Sequence, residues 1–301
     1  MLRLLACFKT CWNLDDVTAE EWNRLEEGQL PSYMKKAIGA YDESALELAL
    51  RLAEEARAMG REAELTALTV DEDMEDHAAK NLFAAGYARV VQVTCSEDLR
   101  FRPDLTADLL CGFTKHSQKE KFFNEEKNLN EKKSFDWILT GQQANVGDNG
   151  QTHLLMAEKL GIPCILNVID ASCLKDSCLE EGVRVVSLVD EGVLEQTVTP
   201  PAVLAVANAA HPYLRVPTLR ERMAASQKKV LVIAGETLVS PDSPNSIDSS
   251  NASAAKRLPQ VVHRGLTVKK LRRECRFVPG KSPEEKARLL YDSCLAKVLK
   301  S

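Results

Sequence analysis

Short apolar runs and longer amphipathic runs alternate through the first 210 residues, and this alternation constrains the fold more than any other feature. LRLLACF (2–8) suits a buried strand. DESALELALRLAEEARAMG (42–60) places Ala45, Leu48, Ala49, Leu52 and Ala56 at helical spacing, with Asp42 or Ser44 as the expected cap and Gly60 as the stop. The rhythm continues as strand 62–70, helix 73–86 closed by Gly86, strand 87–95, helix 104–123, strand 135–141, helix 150–161 and strand 163–170. Near-continuous apolar strands separated by helices imply a parallel sheet covered on both faces. The expected fold class is therefore α/β, a three-layer, doubly wound, mostly parallel sheet.

After residue 170 the pattern changes. Stretches 183–189 and 193–198, separated by DEG, predict a β-hairpin, and AVLAVAN (202–208) predicts another buried strand. From about 228 the α/β rhythm is expected to end, which divides the chain into a domain over 1–228 and an arm over 229–301. Within the arm, VSPDSPNSIDSSNASAAK (239–256) has the composition of a linker. SPEEKARLLYDSCLAKVLK (282–300) reads as a capped helix with Leu289, Leu290, Leu295 and Val298 on one face. That face has two available destinations, a partner subunit or the same chain. The run 119–133 carries charges of both signs, as a solvated loop does.

Several function classes are disfavoured at once. A net charge of −5 and a pI near 5.7 offer no basic field for nucleic acid or an anionic membrane. No apolar run reaches the roughly 20 residues of a membrane helix, so no direct membrane insertion is expected. MLRLLACFKTCW lacks the marks of a targeting segment, which predicts a cytoplasmic protein. The nine cysteines form no CxxC pair; Cys7 and Cys11 are four apart, Cys173 and Cys178 five apart, without accompanying histidines. Reduced thiols and no metal site are the expectation.

The segment TGQQANVGDNGQTHLLMAEKLGIP (140–163) concentrates glycines and amide side chains just ahead of a helix. In a parallel α/β sheet this is the C-terminal end of a strand, where ligands bind. Gly147 and Gly150 permit close backbone approach. The free N–H groups of a first helical turn favour an anion, and Gln143, Asn149, Gln151 and Thr152 can donate to phosphate or ribose oxygens. Neither GxGxxG nor GxxxxGK[ST] is present, and Asp148 opposes an anion unless it caps the helix. Spacing alone leaves two readings, a nucleotide phosphate site or a well-capped turn. His153, in the first turn, is expected to have a lowered pKa, either as a ligand contact or as part of a polar surface turn.

Four segments in order resemble the β subunit of electron transfer flavoproteins, over residues 1 to about 230 with a plausible match in the C-terminal arm. Cys7, Phe8 and Lys9 resemble the family's opening "V-K" strand end. IGAYDESALELALRL (38–52) resembles "INPFDExALExALRL". LTALTVDEDMEDHAAKNLFAAGYARVVQV (65–93) is similar to "VTALTxGPxxAxxxLRxALAMGADRAVxV". FDWILTGQQANVGDNGQTHLLMAEKLGIP is similar to "FDLVLxGxQxxDGDTGQVGPxLAExLGxP". The resemblance implies a Rossmann-like, adenine nucleotide hydrolase-like fold and a heterodimer with an α subunit that holds a redox-active FAD.

It further implies AMP, or a second FAD, in this chain, lined by Cys7, by Gly39, Ala40, Tyr41 and Asp42, by Val70, and by the loop from Gly141 to Thr152. That loop contains Gln143, Val146, Gly147, Asp148, Asn149, Gly150 and Gln151. HPYLRVP (211–217) resembles the partner-recognition segment "PRYATLP", so Tyr213, Val216 and Pro217 would dock flavin dehydrogenases; the bland alternative returns Val216 to the core. The implied role is electron carriage without bond-making residues of the chain's own.

The sequence departs from the family pattern at Gly39 (Asn in the family), at Asp71 after Val70, and at Val146, Asn149 and His153. The family's basic residue before the DEG turn is also missing. A universal-stress-type adenine-nucleotide-binding homodimer is the alternative on the same architecture. A hydrolase or ligase would need a nucleophile elbow or P-loop, and neither is found.

Overall fold

The computed structural model describes residues 1–13, 17–18, 20–21, 34–99, 101–117, 134–144, 150–174, 182–239 and 277–296. The expected linker 239–256 lies outside them except for Val239, as do the whole charged run 119–133 and Val298 of the terminal helix. The chain divides into two compact units, one of Met1–Val17 with Pro31–His263, the other of Thr18–Leu30 with Arg264–Ser301.

The first unit is built on strands β1 (Leu2–Cys7), β4 (Ala63–Val70), β5 (Arg89–Thr94), β6 (Trp137–Gly141), β7 (Cys164–Cys173), β8 (Val183–Val189), β9 (Gly192–Val198), β10 (Ala202–Val206) and β11 (Leu231–Ala234). They form one nine-stranded sheet in the order β11-β5-β4-β1-β6-β10-β7-β8-β9. Pairing is parallel from β11 to β7 and antiparallel through β8 and β9, the hairpin expected at DEG. A separate ribbon pairs β2 (Thr10–Trp12) with β3 (Lys36–Ile38). The α/β, mostly parallel, three-layer expectation is met.

The helices of this unit are α1 (Ala40–Ala58), α2 (Asp76–Ala85), α3 (Pro103–Ser117), α4 (Thr152–Leu160) and α5 (Leu219–Ala225). Alternate residues of the strands feed two apolar clusters, one on each face. Leu4, Ala6, Trp137 and Leu139 pack with α1 and α2, while Leu5, Cys7, Leu68 and Ile138 pack with α3 and α4. α1 is rich in Ala and Leu because it is wrapped closely: Ala45, Leu46, Ala49, Leu52, Ala53 and Ala56 are fully buried.

Two local expectations are corrected. α1 starts at Ala40 with Gly39 at its cap position, and neither Asp42 nor Ser44 caps it, because the Asp42 carboxylate is taken by backbone amides of distant strand ends. The α/β rhythm does not stop at 228: Leu231–Ala234 pairs in parallel with β5 and forms the sheet's edge, so the sheet runs past that residue. Its single short strand, separated from the rest by α5, is too brief to show a period.

Strand β7 is longer than the expected 163–170, because its second half pairs with β8 rather than β10. In the second unit, α6 (Pro283–Leu290) is capped by the Ser282 hydroxyl, which accepts from the Glu285 amide. Its Leu289 and Leu290, and Leu295 beyond it, are exposed. Among the described residues no helix is long and apolar enough to cross a membrane.

Candidate functional site

The chain leaves β1 to build β4 and β5 on one side, then crosses to build β6, β10 and β7 on the other. Loops beyond the C-terminal ends of β1 and β6 therefore diverge, and such a switch point is where open α/β sheets bind ligands. In register, Cys7 pairs with both Leu68 and Thr140, so the ends of the three central strands lie side by side. Above them is a cavity of about 340 Å³, within the range of small-ligand sites. It is lined by the segments that follow β1, β4, β5 and β6, by Thr106 and Leu110 of α3, and by Gly150 to His153 at the head of α4.

Of the residues the sequence points to, the cavity gathers Cys7, Asp42, Val70, Gly141, Gln143, Gly150, Gln151 and Thr152. Gly39, Ala40 and Tyr41 are not among its lining residues. Val146, Gly147, Asp148 and Asn149 lie outside the described residues. Sequence reasoning missed the contribution of the loop after β5 (Cys95, Glu97, Asp98 and Leu99) and of α3. The signal was accessible: β5 lies two strands from β1, and every parallel strand's C-terminal loop opens on the same edge.

Asp42 knits the switch point together. One carboxylate oxygen accepts the Lys9 amide at 2.9 Å and the other accepts the Gly141 amide at 3.0 Å, joining the loops after β1 and β6 to the first turn of α1. Burial pushes its pKa up to about 7, an effect that outweighs the two N–H donors and the Lys9 charge. Gly141 has to be glycine here, since a Cβ would come 2.8 Å from the Asp42 nitrogen and 2.9 Å from the Tyr41 carbonyl carbon.

Asp71, the departure that adds a negative charge after Val70, is held in place. Its carboxylate accepts from Lys36 Nζ at 3.0 and 3.3 Å and from the Thr10 hydroxyl, which fastens the β2–β3 ribbon to the end of β4. Glu72, Glu97 and Asp98 give the same side of the cavity an acidic character. Burial drives the Cys7 thiol far above its ordinary range, so it stays protonated, and Thr140 Oγ1 is buried with no hydrogen-bond partner. His153 is 3% exposed. It is no surface turn; burial lowers its pKa, so desolvation acts in the direction expected from the helix end.

The loop after β6 is anchored by Gln142. Its amide donates to Val206 O at 2.9 Å, and its side chain exchanges two bonds with Asn167 (2.5 and 2.6 Å). Asn167 adopts φ 53 within β7, near the register shift opposite β10. Away from the cavity, loop 211–217 lies on α1. Ser44 Oγ donates to Pro212 O at 3.1 Å, and Arg215 pairs with Glu47 at 2.7 Å and with Glu54. Tyr213 and Val216 stand 73% and 81% exposed and Pro217 is buried, so Val216 does not return to the core.

A doubly wound α/β unit with a ligand-sized crevice at its switch point is the class that fold and site define. Within that class, the electron transfer flavoprotein domain matches residues 32–237. The chain belongs to the electron transfer flavoprotein family. It is also similar to a protein of Escherichia coli (strain K12) named "Putative electron transfer flavoprotein subunit YgcR", 27% identical over 302 residues and covering 98% of both chains.

Proposed function

We propose that the chain is the β-type subunit of an electron transfer flavoprotein, seats an adenine nucleotide in the switch-point crevice, and pairs in the cytoplasm with an α-type subunit that holds the redox-active FAD. The crevice carries this reading, because its lining unites the β1 end, Asp42, Val70 and the head of α4, the places where the sequence resembles β subunits. The orphaned Thr140 hydroxyl and the head of α4, which the Gln151 side chain does not cap, fit one nucleotide with one phosphate. The modest volume disfavours a dinucleotide, so AMP is preferred to a second FAD.

Bound flavin would supply the electron-accepting and electron-donating chemistry. This chain's part is positioning. Asp42 holds the two loops at the crevice, Gln142 fixes the loop after β6, and Arg215 braces the segment that offers Tyr213 and Val216 to a dehydrogenase. Exposed apolar side chains on a braced loop suit such docking.

The test is co-expression with an α-type subunit, followed by heat denaturation of the complex and identification of released nucleotides by mass. One FAD and one AMP per heterodimer are expected. Two FAD would replace AMP by a second flavin. A colourless, self-paired product would refute the assignment in favour of the stress-type homodimer.

A further inference from the structure

Two polar side chains of the crevice stand outside the set that the sequence resemblance points to as ligand contacts. Thr140 is the residue of β6 before its last, Gly141, on the face that α3 and α4 cover, with 7% of its surface exposed. Its Oγ1 is buried and has no partner; Thr66, Thr69 and Ser187 share that state among the described residues, but of the four only Thr140 lines the cavity. His153 is the second residue of α4, 3% exposed, and it lines the same cavity. The Gln151 side chain at the helix's cap position caps none of the first-turn amides. An unsatisfied hydroxyl, a buried imidazole and a helix head that the Gln151 side chain does not cap thus meet at one cavity. A ligand carrying hydrogen-bonding groups and a single anion answers all three.

We infer that Thr140 and His153 are ligand-contact residues: the His153 ring N–H donates to the phosphate of a mononucleotide over the head of α4, and the Thr140 hydroxyl bonds its nucleoside part. This rests on the nucleotide reading of the crevice and assigns the two ends of the ligand. Because burial favours the uncharged imidazole, the His153 contact is a hydrogen bond to phosphate rather than an ion pair. It discriminates AMP from adenosine, whereas Thr140 serves both.

Calorimetric titration of the full-length protein, stripped of nucleotide, with AMP and with adenosine tests the assignment. Removing a hydrogen bond to a charged group is expected to cost roughly tenfold or more in affinity. His153→Gly should weaken AMP by that factor and leave adenosine unchanged, and His153→Gln, which keeps a donor, should recover part of the loss. Thr140→Val should weaken both ligands by a similar factor and Thr140→Ser should restore them, with unchanged circular dichroism throughout. Wild-type binding that survives all four substitutions, or equal losses of AMP and adenosine in His153→Gly, overturns this inference and leaves the nucleotide site standing. A wild type that binds neither ligand removes the nucleotide site and the inference together.

Discussion

Replacing Asp42 by Asn should flatten the protein's pH–stability profile, and the size of the effect follows from the site. The carboxyl is buried and its folded pKa is raised from 3.8 to about 7. A folded pKa above the unfolded value means that the folded state binds the proton more tightly. The associated stability is fully present below pH 3.8 and is lost progressively as pH rises to 7. Linkage gives a loss of about 3 kcal/mol from this group between pH 5 and pH 8. Asn has the same shape and an oxygen able to accept one of the two amides at 2.9 and 3.0 Å, but it does not titrate. Urea denaturation of wild type and Asp42→Asn at pH 5, 6, 7 and 8 isolates the group as the difference between the two profiles. One backbone donor goes unanswered in the variant at every pH, so its deficit is expected to be largest at low pH, where the wild type keeps its protonated carboxyl, and to narrow toward pH 8. Parallel profiles would refute the claim that desolvation outweighs the two N–H donors.

Four further outcomes follow from the geometry. Gly141→Ala forces a Cβ against the first turn of α1 and should cost about 1–3 kcal/mol in chemical denaturation. Gln142→Ala strips both partners from Asn167, and should speed hydrogen exchange at 141–144 and 164–168 while the remaining strands keep their protection. Arg215→Ala leaves the buried Glu47 carboxylate without its cation, and should cost about 1–3 kcal/mol and expose loop 211–217 to proteolysis. Val216→Asp, at an 81% exposed position, should leave the melting temperature unchanged, and the docking role proposed above requires that it weaken dehydrogenase binding at least tenfold by surface plasmon resonance.

Much of the frame was legible because helix and strand periods are local. The expected strands at 2–8, 62–70, 87–95 and 135–141 and the expected helices at 42–60, 73–86 and 150–161 match the observed elements to within a few residues, while the ends expected for helices 104–123 and 282–300 lie outside the described residues. The loop at the head of α4 is marked by its composition, and its position at a parallel strand's end implies a binding edge. The role of Asp42 could not be read this way. As a good cap residue near a helix start it had a sufficient local explanation, yet its partners lie 33 and 99 residues away. His153 likewise looked like a polar residue in a turn until α3 and the sheet edge closed around it.

The sequence by itself determined the α/β class, the hairpin and the direction in which the crevice opens, because residue periodicity and turn chemistry act over a few neighbours. Only the tertiary structure decided the strand order, with β10 inserted between β6 and β7 and β11 added at the far edge. It also decided which side chains the cavity gathers and which charges are spent on holding loops. Those choices depend on how segments far apart in the chain share one buried space, where desolvation and packing outweigh local preference.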